Sequence, residues 1–442
     1  MNFCTDYKLE RYLLNTQWEQ LPQSVQNRAL VCSIDLMTAL MLGAQGEQFR
    51  CGQRLARHMQ GGILPVPGTR ETYGLLGAAT VMGHASNSFD IDDGHNMIKG
   101  HPGTSFIGGL LAAAADRQVT YKEYLTAMVV CYDAAVRMGL ALQDHYGFLH
   151  STGAYGAVAT AAAVGRILEL DEKQLNTALS MAEFHAPMVP VMRAVEYPSM
   201  NKDGVPFGAM VGMLAVLDTL AGETARTHLL ELPEYQPLLN TLGQVYEIEN
   251  LYFKPYTCCR WAHQPIQAAV ELMTKEGFTH EDVAAVTVYT FSSAAKLSKR
   301  KPGDTDEAQY NIAWPVASAI VHGDVGFRQV CNDALQDTQV LSMMDRLSFV
   351  VDPELDAQFP EKRLARVEFT LTNGKTLSTA VYAADGEAAD HVDMEWMERK
   401  FRRITAPILS RDRQDRVLAI LKGSLEQKVP DMIRKINDLL FS

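Results

Sequence analysis

The first 260 residues repeat apolar positions three and four apart, the spacing that puts side chains on one face of an α-helix. This spacing predicts helices over residues 24–44, 120–143 and 170–186, the second of them opening on Thr120 as a typical N-cap. Two more predicted helices, "GAYGAVATAAAVGRIL" and "GAMVGMLAVLDTLAG", consist mainly of small residues. Small side chains let helices approach closely, so we expect both helices at the centre of an all-helical core.

The pattern changes in the last third of the chain. Residues 283–291 ("VAAVTVYTF") are β-branched and aromatic, which predicts a strand, and residues 365–382 alternate on either side of Asn373-Gly374, a strong hairpin signal. Residues 327–335 and 337–347 predict short helices, and a helical pattern resumes at Met394. The predicted fold is mostly α with an α+β insertion. A large all-helical domain covers residues 1–269 and 396–442, and a smaller α+β lid domain covers 270–395.

The composition narrows the classes of partner. Among 442 residues, 52 acidic and 40 basic side chains give a net charge of -12, which argues against a nucleic-acid or membrane partner. We expect no membrane span because no run of eighteen apolar residues occurs. Seven cysteines without a CxxC pair, and the charged N-terminus "MNFCTDYKLERYLL", favour reduced thiols and a cytoplasmic location.

Four polar segments each lead from a loop into a small-residue helix. The free N–H groups at a helix N-terminus suit carboxylate ligands, so these segments are candidates for binding a small anion. They are "DIDDGHNMIKGHPG" (90–103), "YGFLHSTGAYG" (146–156), "YPSMNKDGVPFGAM" (197–210) and "YFKPYTCCRWAHQP" (252–265).

Taken singly, these residues have plainer explanations. A lone histidine is more often structural than catalytic, the aspartates of residues 90–93 suit turns or helix caps, Lys202 suits a solvated loop, and Arg260 suits an ion pair. A metal site is a further alternative, but His95 and His101 are six residues apart across a loop, unlike the usual ligand spacing. No nucleotide-binding or G-x-S-x-G motif occurs, so a nucleotide cofactor is not indicated.

Taken together and in order, the segments resemble the MmgE/PrpD family of 2-methylcitrate dehydratases, cis-aconitate decarboxylases and iminodisuccinate epimerases. The resemblance also includes "LPQSVQNRALVCSIDLMTALMLGA", "EAQYNIAWPVASAIVHGDVG" and "MERKF", and so covers nearly the whole chain. It implies a helical domain with a smaller α+β lid, a homodimer, and chemistry without a metal or organic cofactor.

The resemblance also implies roles for individual residues. It places catalytic residues at Asp90, His101, His150 and Lys202. The residues that we expect to bind substrate are Asp93, His95, Lys254, Arg260, His263 and Trp314.

Four positions depart from the family pattern. Gly94 stands where a D-D-T motif has a hydroxyl, Trp314 where the family has a tyrosine, Leu149 is an insertion, and "KDG" (202–204) replaces K-x-x-H. These departures favour a polycarboxylate other than cis-aconitate or 2-methylcitrate, such as an amino or imino acid.

The expected function is that of a cofactor-independent lyase or isomerase that transfers a proton next to a carboxylate of a small di- or tricarboxylate. Dehydration, decarboxylation and epimerisation all pass through an enediolate-like state, so the three stay open. We expect His101 or His150 to move the proton, Asp90 to accept an imidazole N–H, and Lys202 to act as the partner acid–base or to anchor a carboxylate. The alternative is a catalytically inactive paralogue that only binds polycarboxylates.

Overall fold

The computed structural model describes residues 6–195, 202–390 and 392–442. Most of the described chain before residue 280 is helical, with four very short strands. These elements are α1 (Lys8–Asn15), α2 (Gln23–Gly43), α3 (Glu47–Ala56), β1 (Leu64–Pro65), β2 (Thr72–Tyr73), α4 (Leu75–Ser86), β3 (Gly94–His95), α5 (Pro102–Asp116), α6 (Tyr121–Tyr146), α7 (Thr152–Ile167), α8 (Glu172–Phe184), α9 (Met192–Val195), α10 (Val205–Ala221), α11 (Gln236–Leu239), β4 (Leu251–Tyr252) and α12 (His263–Glu276).

The rest of the chain mixes strands with short helices and then returns to helix. Its elements are β5 (Val283–Thr290), α13 (Ser292–Ala295), α14 (Thr305–Gln309), α15 (Ala313–His322), α16 (Phe327–Val330), α17 (Thr338–Met344), β6 (Leu347–Val351), α18 (Pro353–Asp356), β7 (Leu364–Leu371), β8 (Thr376–Ser378), β9 (Tyr382–Ala383), α19 (Met394–Thr405), α20 (Arg411–Leu421) and α21 (Val429–Phe441).

The long predicted helices are confirmed as α2, α6 and α8. The predicted cap of α6 is also confirmed, because the Thr120 hydroxyl accepts a hydrogen bond from the Glu123 N–H at 3.2 Å.

The two small-residue helices pack against each other, as expected. A Cβ atom on Gly208 of α10 would lie 2.6 Å from the carbonyl oxygen of Gly153 in α7, so only glycine allows this approach. Helix α7 is buried along its whole length, which confirms its central position. The expectation is wrong for α10, which packs on one side only and exposes Phe207, Leu214 and Leu220 on the other.

Two of the described helices are long and apolar enough to cross a membrane, judged by length and composition alone: Tyr121–Tyr146 and Lys202–Ala221. Counting uninterrupted apolar runs overlooked them, because mean hydropathy tolerates a few polar residues. The apolar window of the first helix is 94% buried inside the protein, and that of the second is 50% buried. Packing within the fold therefore accounts for the composition of the first helix.

Five strands form the one larger sheet in the described ranges, in the order β6-β5-β7-β8, with β9 also paired to β7. Strands β5 and β6 are parallel, and the other pairs are antiparallel. The predicted hairpin is confirmed: Phe369 faces Leu377, and Gly374 has a φ of 84° in the turn. Strand β6 was not predicted, because the helical pattern of residues 337–347 runs into its first residue.

The buried apolar side chains form two clusters. One belongs to helices before residue 254 and after residue 391, and the other mainly to residues 258–371. Phe89, Ile91 and Ile404 from the helical part join the second cluster, so the two cores meet at the loop that follows α4. The outline of a mostly helical fold with an α+β part is confirmed. The domain limits and the role of a lid stay predictions.

Candidate active site

Four side chains meet in the interior at this junction, and we call them the acid–base cluster: Asp90, Asp92, His101 and Lys254. The Lys254 Nζ donates to Asp90 Oδ1 at 2.9 Å and lies 3.1 Å from His101 Nδ1. The same Nδ1 lies 2.9 Å from Asp92 Oδ2, whereas His101 Nε2 lies 3.7 Å from Asp90 Oδ1. The carboxylate that holds the imidazole is therefore Asp92, and not Asp90 as we expected from the sequence.

The opposite charges of the cluster stabilise one another. Burial and Lys254 lower the pKa of His101, but Asp92 and Asp90 outweigh them and raise it above its ordinary value. Burial alone would raise the pKa of Asp92, yet His101 and Lys254 bring it down to about 2. The proton on Nδ1 therefore points to Asp92, and Nε2 is the nitrogen that can exchange a proton with a substrate.

The cluster also bears on the metal alternative. Ligand atoms of Asp90, Asp92 and His101 all lie within 4.8 Å of one another, close enough for a shared cation. The Lys254 ammonium already contacts two of these residues at 2.9 and 3.1 Å. A metal ion would have to displace this ammonium, so the donor set fits the side-chain cation better than it fits a metal.

The start of α7 joins the cluster through Thr152. Its hydroxyl accepts a hydrogen bond from the backbone N–H of His101 at 3.1 Å. Asp203 Oδ2 accepts hydrogen bonds from the backbone N–H of Thr152, at 2.8 Å, and from the Thr152 hydroxyl. Burial raises the pKa of Asp203 to about 6 although His101 opposes the rise. Neither Asp203 nor Thr152 was among the predicted site residues, since "KDG" alone resembles an ordinary turn.

Lys202 is buried between the two parts of the protein. It is 2% exposed, and its Nζ lies 2.7 Å from Asp306 Oδ1 and 2.9 Å from Gln309 Oε1, both on α14. The ring of Tyr310 lies 5.8 Å from the same Nζ, and the buried Tyr310 hydroxyl has no hydrogen-bond partner within the described ranges. Lys202 is thus not a solvated lysine. Residues 197–201 of the same predicted segment lie outside the described residues.

His150 does not contact the acid–base cluster in the described structure. Its Nε2 lies 3.2 Å from the Leu142 carbonyl oxygen, and its ring packs on Phe148 with centroids 4.0 Å apart. Burial lowers its pKa, which favours the neutral ring. Its backbone nevertheless lies two residues before Thr152, at the entrance to α7.

Asp93 points away from the cluster and caps α5. Its Oδ1 accepts the Gly103 N–H at 3.0 Å, and its Oδ2 accepts the hydroxyl of Tyr132. Burial and the nearby Asp35 raise the pKa of Asp93 to about 7. These contacts give it a structural task at the helix start.

Arg260 holds a loop of the smaller part with its whole guanidinium. Nη2 donates to Glu387 at 2.8 Å and to the Ala384 carbonyl at 3.0 Å, and Nη1 donates to the Asp385 carbonyl at 2.9 Å. Three other predicted binding residues also have protein partners: His95 Nε2 lies 3.4 Å from Glu247 Oε2, His263 Nε2 lies 2.9 Å from the Cys258 carbonyl oxygen, and Trp314 donates to the Gln329 carbonyl at 2.9 Å.

Gly94 faces Tyr252 across the β3–β4 pair. A Cβ atom on Gly94 would overlap the end of the Tyr252 phenol ring, so the ring occupies the space of a side chain at position 94. Arg260 and Arg363 lie over this ring at 5.2 and 4.9 Å from its centroid. The departure at Gly94 thus brings a phenol, rather than an aliphatic hydroxyl, next to the site loop.

A buried ion pair holds the backbone of the loop that carries Asp90 and Asp92. Lys400 on α19 donates to Asp35 Oδ1 at 2.5 Å and to the Ile91 carbonyl at 2.6 Å. The motif "MERKF" contains Lys400, but spacing alone did not connect it to the loop. The pair anchors the backbone between Asp90 and Asp92.

Comparison with protein-family models matches residues 7–236 to the MmgE/PrpD N-terminal domain and residues 256–427 to the MmgE/PrpD C-terminal domain. The chain is 24% identical to Cis-aconitate decarboxylase-like protein oryM of Aspergillus oryzae over 80% of this chain and 81% of the relative. It is also similar to the cis-aconitate decarboxylases of Aspergillus terreus (20% identical, covering 92% and 91%) and Homo sapiens (22% identical, covering 78% and 76%).

Proposed function

Because the chain belongs to the MmgE/PrpD family, we propose that it is a lyase or isomerase that moves a proton next to a carboxylate of a small di- or tricarboxylate. The relatives named as cis-aconitate decarboxylases support a dehydratase or decarboxylase type of reaction. The observation that carries the proposal is the acid–base cluster, in which Asp92 holds the Nδ1 of His101 at 2.9 Å and leaves Nε2 available.

In the proposed reaction, His101 Nε2 gives or takes the proton at the substrate carbon. The negative charge that develops on the enediolate needs a cation close by, and the Lys254 ammonium lies 3.1 Å from the same imidazole. Asp92 keeps the imidazole in one orientation, as a carboxylate does for a catalytic histidine in many hydrolases. Asp90 neutralises Lys254 in the absence of substrate.

Lys202 is the second proposed proton carrier or anchor. It belongs to a turn with positive φ, 43°, and Asp306 and Gln309 of the smaller part bind its ammonium. A substrate carboxylate can take the place of Asp306 after the two parts separate, and the parts can then close over the bound substrate. We therefore propose that the α+β part acts as a lid, and small-angle scattering should show a more compact particle with substrate; identical profiles would count against the lid.

We also propose that the reaction needs no metal or organic cofactor, since Lys254 supplies a cation inside the cluster. A stoichiometric metal in the purified active protein, found by elemental analysis, would contradict this. A cytoplasmic location and a homodimer remain proposals, the first resting on the cysteine usage of the sequence and the second on the exposed face of α10.

The test is product analysis with purified protein and a panel of cis-aconitate, 2-methylcitrate and iminodisuccinate. We expect loss of CO2, loss of water or epimerisation with at least one of them, and a rate roughly 10²–10⁴-fold lower in His101→Ala. Binding of these compounds without conversion would instead support the catalytically inactive paralogue. If the protein neither binds nor converts any of these compounds, the proposal is rejected.

A further inference from the structure

The charge balance of the acid–base cluster leaves a polycarboxylate without counter-ions. Its two aspartates, Asp90 and Asp92, match its two cations, Lys254 and protonated His101. A di- or tricarboxylate brings two or three negative charges into a buried site. Burying such charges is costly unless further cations pair with them, so other cations must lie nearby.

Two further cations converge on one residue of the site loop. The Lys99 Nζ donates to the backbone oxygen of Asn96, and the Arg363 Nη1 donates to the side-chain oxygen of the same residue. Lys99 belongs to the loop between β3 and α5, whereas Arg363 immediately precedes β7. Burial and the neighbouring Arg363 lower the pKa of Lys99 to about 8. Two like charges that bind the same residue repel each other, and an anion bound by both would reduce this repulsion.

Arg363 also has an unused donor. The residue is 5% exposed, and its Nε has no hydrogen-bond partner within the described residues. A buried guanidinium N–H without an acceptor is rare and unfavourable, and a carboxylate is the acceptor that a guanidinium binds most strongly. The arrangement therefore lacks one acceptor of the kind that the proposed substrate carries.

The nearby carboxylates act on these two cations without forming an ion pair with either of them in the described ranges. Glu387 accepts hydrogen bonds from Arg260 at 2.8 Å and from Asn96 at 3.0 Å. Glu361 raises the pKa of Lys99. Burial would raise the pKa of Glu387, but Arg260 and Arg363 outweigh it and lower this pKa. Across the described ranges, neither carboxylate forms an ion pair with Lys99 or Arg363.

Tyr252 links Arg363 to the acid–base cluster. The Arg363 guanidinium is 4.9 Å from the ring centroid of Tyr252, whose ring packs on Gly94 of the site loop. Tyr252 is also two residues before Lys254. Burial raises the pKa of Tyr252, and both Arg363 and Lys254 oppose this rise, so the phenol lies within electrostatic reach of both cations.

We propose that Lys99 and Arg363 form a carboxylate subsite that binds the end of the substrate away from His101. This inference rests on the proposed function and assigns one of the substrate's carboxylates to two named residues. It gives each part of the protein a share in binding, because Lys99 comes from the helical part and Arg363 from the α+β part.

The experiment is isothermal titration calorimetry with tricarballylate, an unreactive tricarboxylate, combined with kinetics on the substrate panel. Arg363→Gln and Lys99→Gln should each weaken tricarballylate binding by about 10- to 100-fold, the loss expected for one charged hydrogen-bonding partner. His101→Asn should change this affinity only a few-fold while it slows turnover roughly 10²–10⁴-fold. Arg366→Gln is the matched control, since Arg366 lies three residues further along and pairs with Glu368 at the surface.

The outcomes separate the two proposals. Unchanged tricarballylate affinity in both glutamine variants would overturn the subsite, even if the wild type converts a polycarboxylate. Weakened affinity in both, without any turnover by the wild type, would support the subsite and reject the enzymatic function. A wild type that does not bind tricarballylate would overturn the subsite. If Arg363→Gln does not fold, Lys99→Gln and Arg363→Lys decide, because the first replaces a half-buried side chain and the second keeps the charge.

Discussion

Gly94 and Tyr252 constrain the site loop at the scale of single residues. Their Cα atoms are partners in the β3–β4 pair, and the phenol ring fills the volume in which a side chain at position 94 would lie. Two arginines over the ring limit its movement. Any side chain at position 94 therefore requires that the Tyr252 ring move.

Gly94→Ala should lower thermal stability and activity together, because a buried methyl group forces the ring aside at a cost of about 1–3 kcal/mol. In the Gly94→Ala/Tyr252→Ala double variant, the loss of stability should be smaller than the sum of the two single losses, because the methyl group no longer meets the ring. Denaturation of the four proteins of this double-mutant cycle measures the coupling. Additive effects of the two substitutions would show that the residues do not constrain each other.

Three residues from the polar loop segments meet in the described structure, whereas His150 from another of these segments does not contact them. Asp90, His101 and Lys254 do meet, although 164 positions separate Asp90 from Lys254. The choice between Asp90 and Asp92 as the partner of His101 was beyond the sequence, because it depends on the positive φ of Asp90, 51°, which turns the two carboxylates to different neighbours.

At the scale of secondary-structure elements, the N-termini of α5 and α7 set the positions of the site residues. Asp93 caps α5, and Asp203 binds the first residue of α7. Both carboxyl groups are buried, and the pKa of each is raised, to about 7 and about 6. Each of these buried carboxyl groups therefore keeps its proton at pH values at which an exposed aspartate has lost it.

This predicts a pH dependence that Asp93→Asn should remove. The pKa of Asp93 is raised from 3.8 to about 7 in the folded protein, so the folded state keeps a proton that the unfolded chain releases. The stability contributed by this proton falls as pH rises from 4 to 7, by at most about 1.4 kcal/mol per pH unit.

Urea denaturation at pH 5 and pH 8 measures the effect. The stability that Asp93→Asn loses relative to wild type should be larger at pH 5 than at pH 8. An equal loss at both pH values would mean that Asp93 is already ionised in the folded protein at pH 5.

The contact between the turn before α10 and helix α14 predicts what Lys202 does. Lys202→Met should destabilise the protein by about 3–5 kcal/mol, because Asp306 would remain buried without its cation. Lys202→Met combined with Asp306→Asn should regain most of this stability. If Lys202 takes part in the chemistry, the double variant folds but stays inactive, which steady-state rates and melting curves check together. Recovered turnover would make Lys202 purely structural.

At the scale of the whole molecule, the periodicity of apolar residues predicted the fold well. It predicted the long helices, strand β5 and the β7–β8 hairpin, because burial on one face leaves a regular trace in the sequence. It did not predict strand β6, whose residues are mostly half-buried or exposed and follow a helical stretch. It also overestimated the burial of α10, because the apolar pattern of a helix does not show which of its faces the fold covers.

The exposed face of α10 supports the proposed homodimer. Phe207, Leu214 and Leu220 are about half exposed, and Phe184 of the neighbouring α8 is 83% exposed. Leu214→Lys should shift the protein toward a monomer, since a charge in the middle of an apolar interface must be desolvated. Sedimentation velocity measures the shift. A wild type that is already monomeric, or that floats with lipid vesicles, would contradict the dimer.

The central claim is that His101 exchanges a proton with the substrate, and NMR in D2O tests it most directly. Wild-type protein incubated with cis-aconitate, 2-methylcitrate or iminodisuccinate should place deuterium next to a carboxylate of at least one of them, even without net conversion. His101→Asn should slow this exchange by roughly 10²–10⁴-fold while still binding tricarballylate. Exchange that continues unchanged in His101→Asn, or that the wild type fails to catalyse with any of these compounds, would contradict the account.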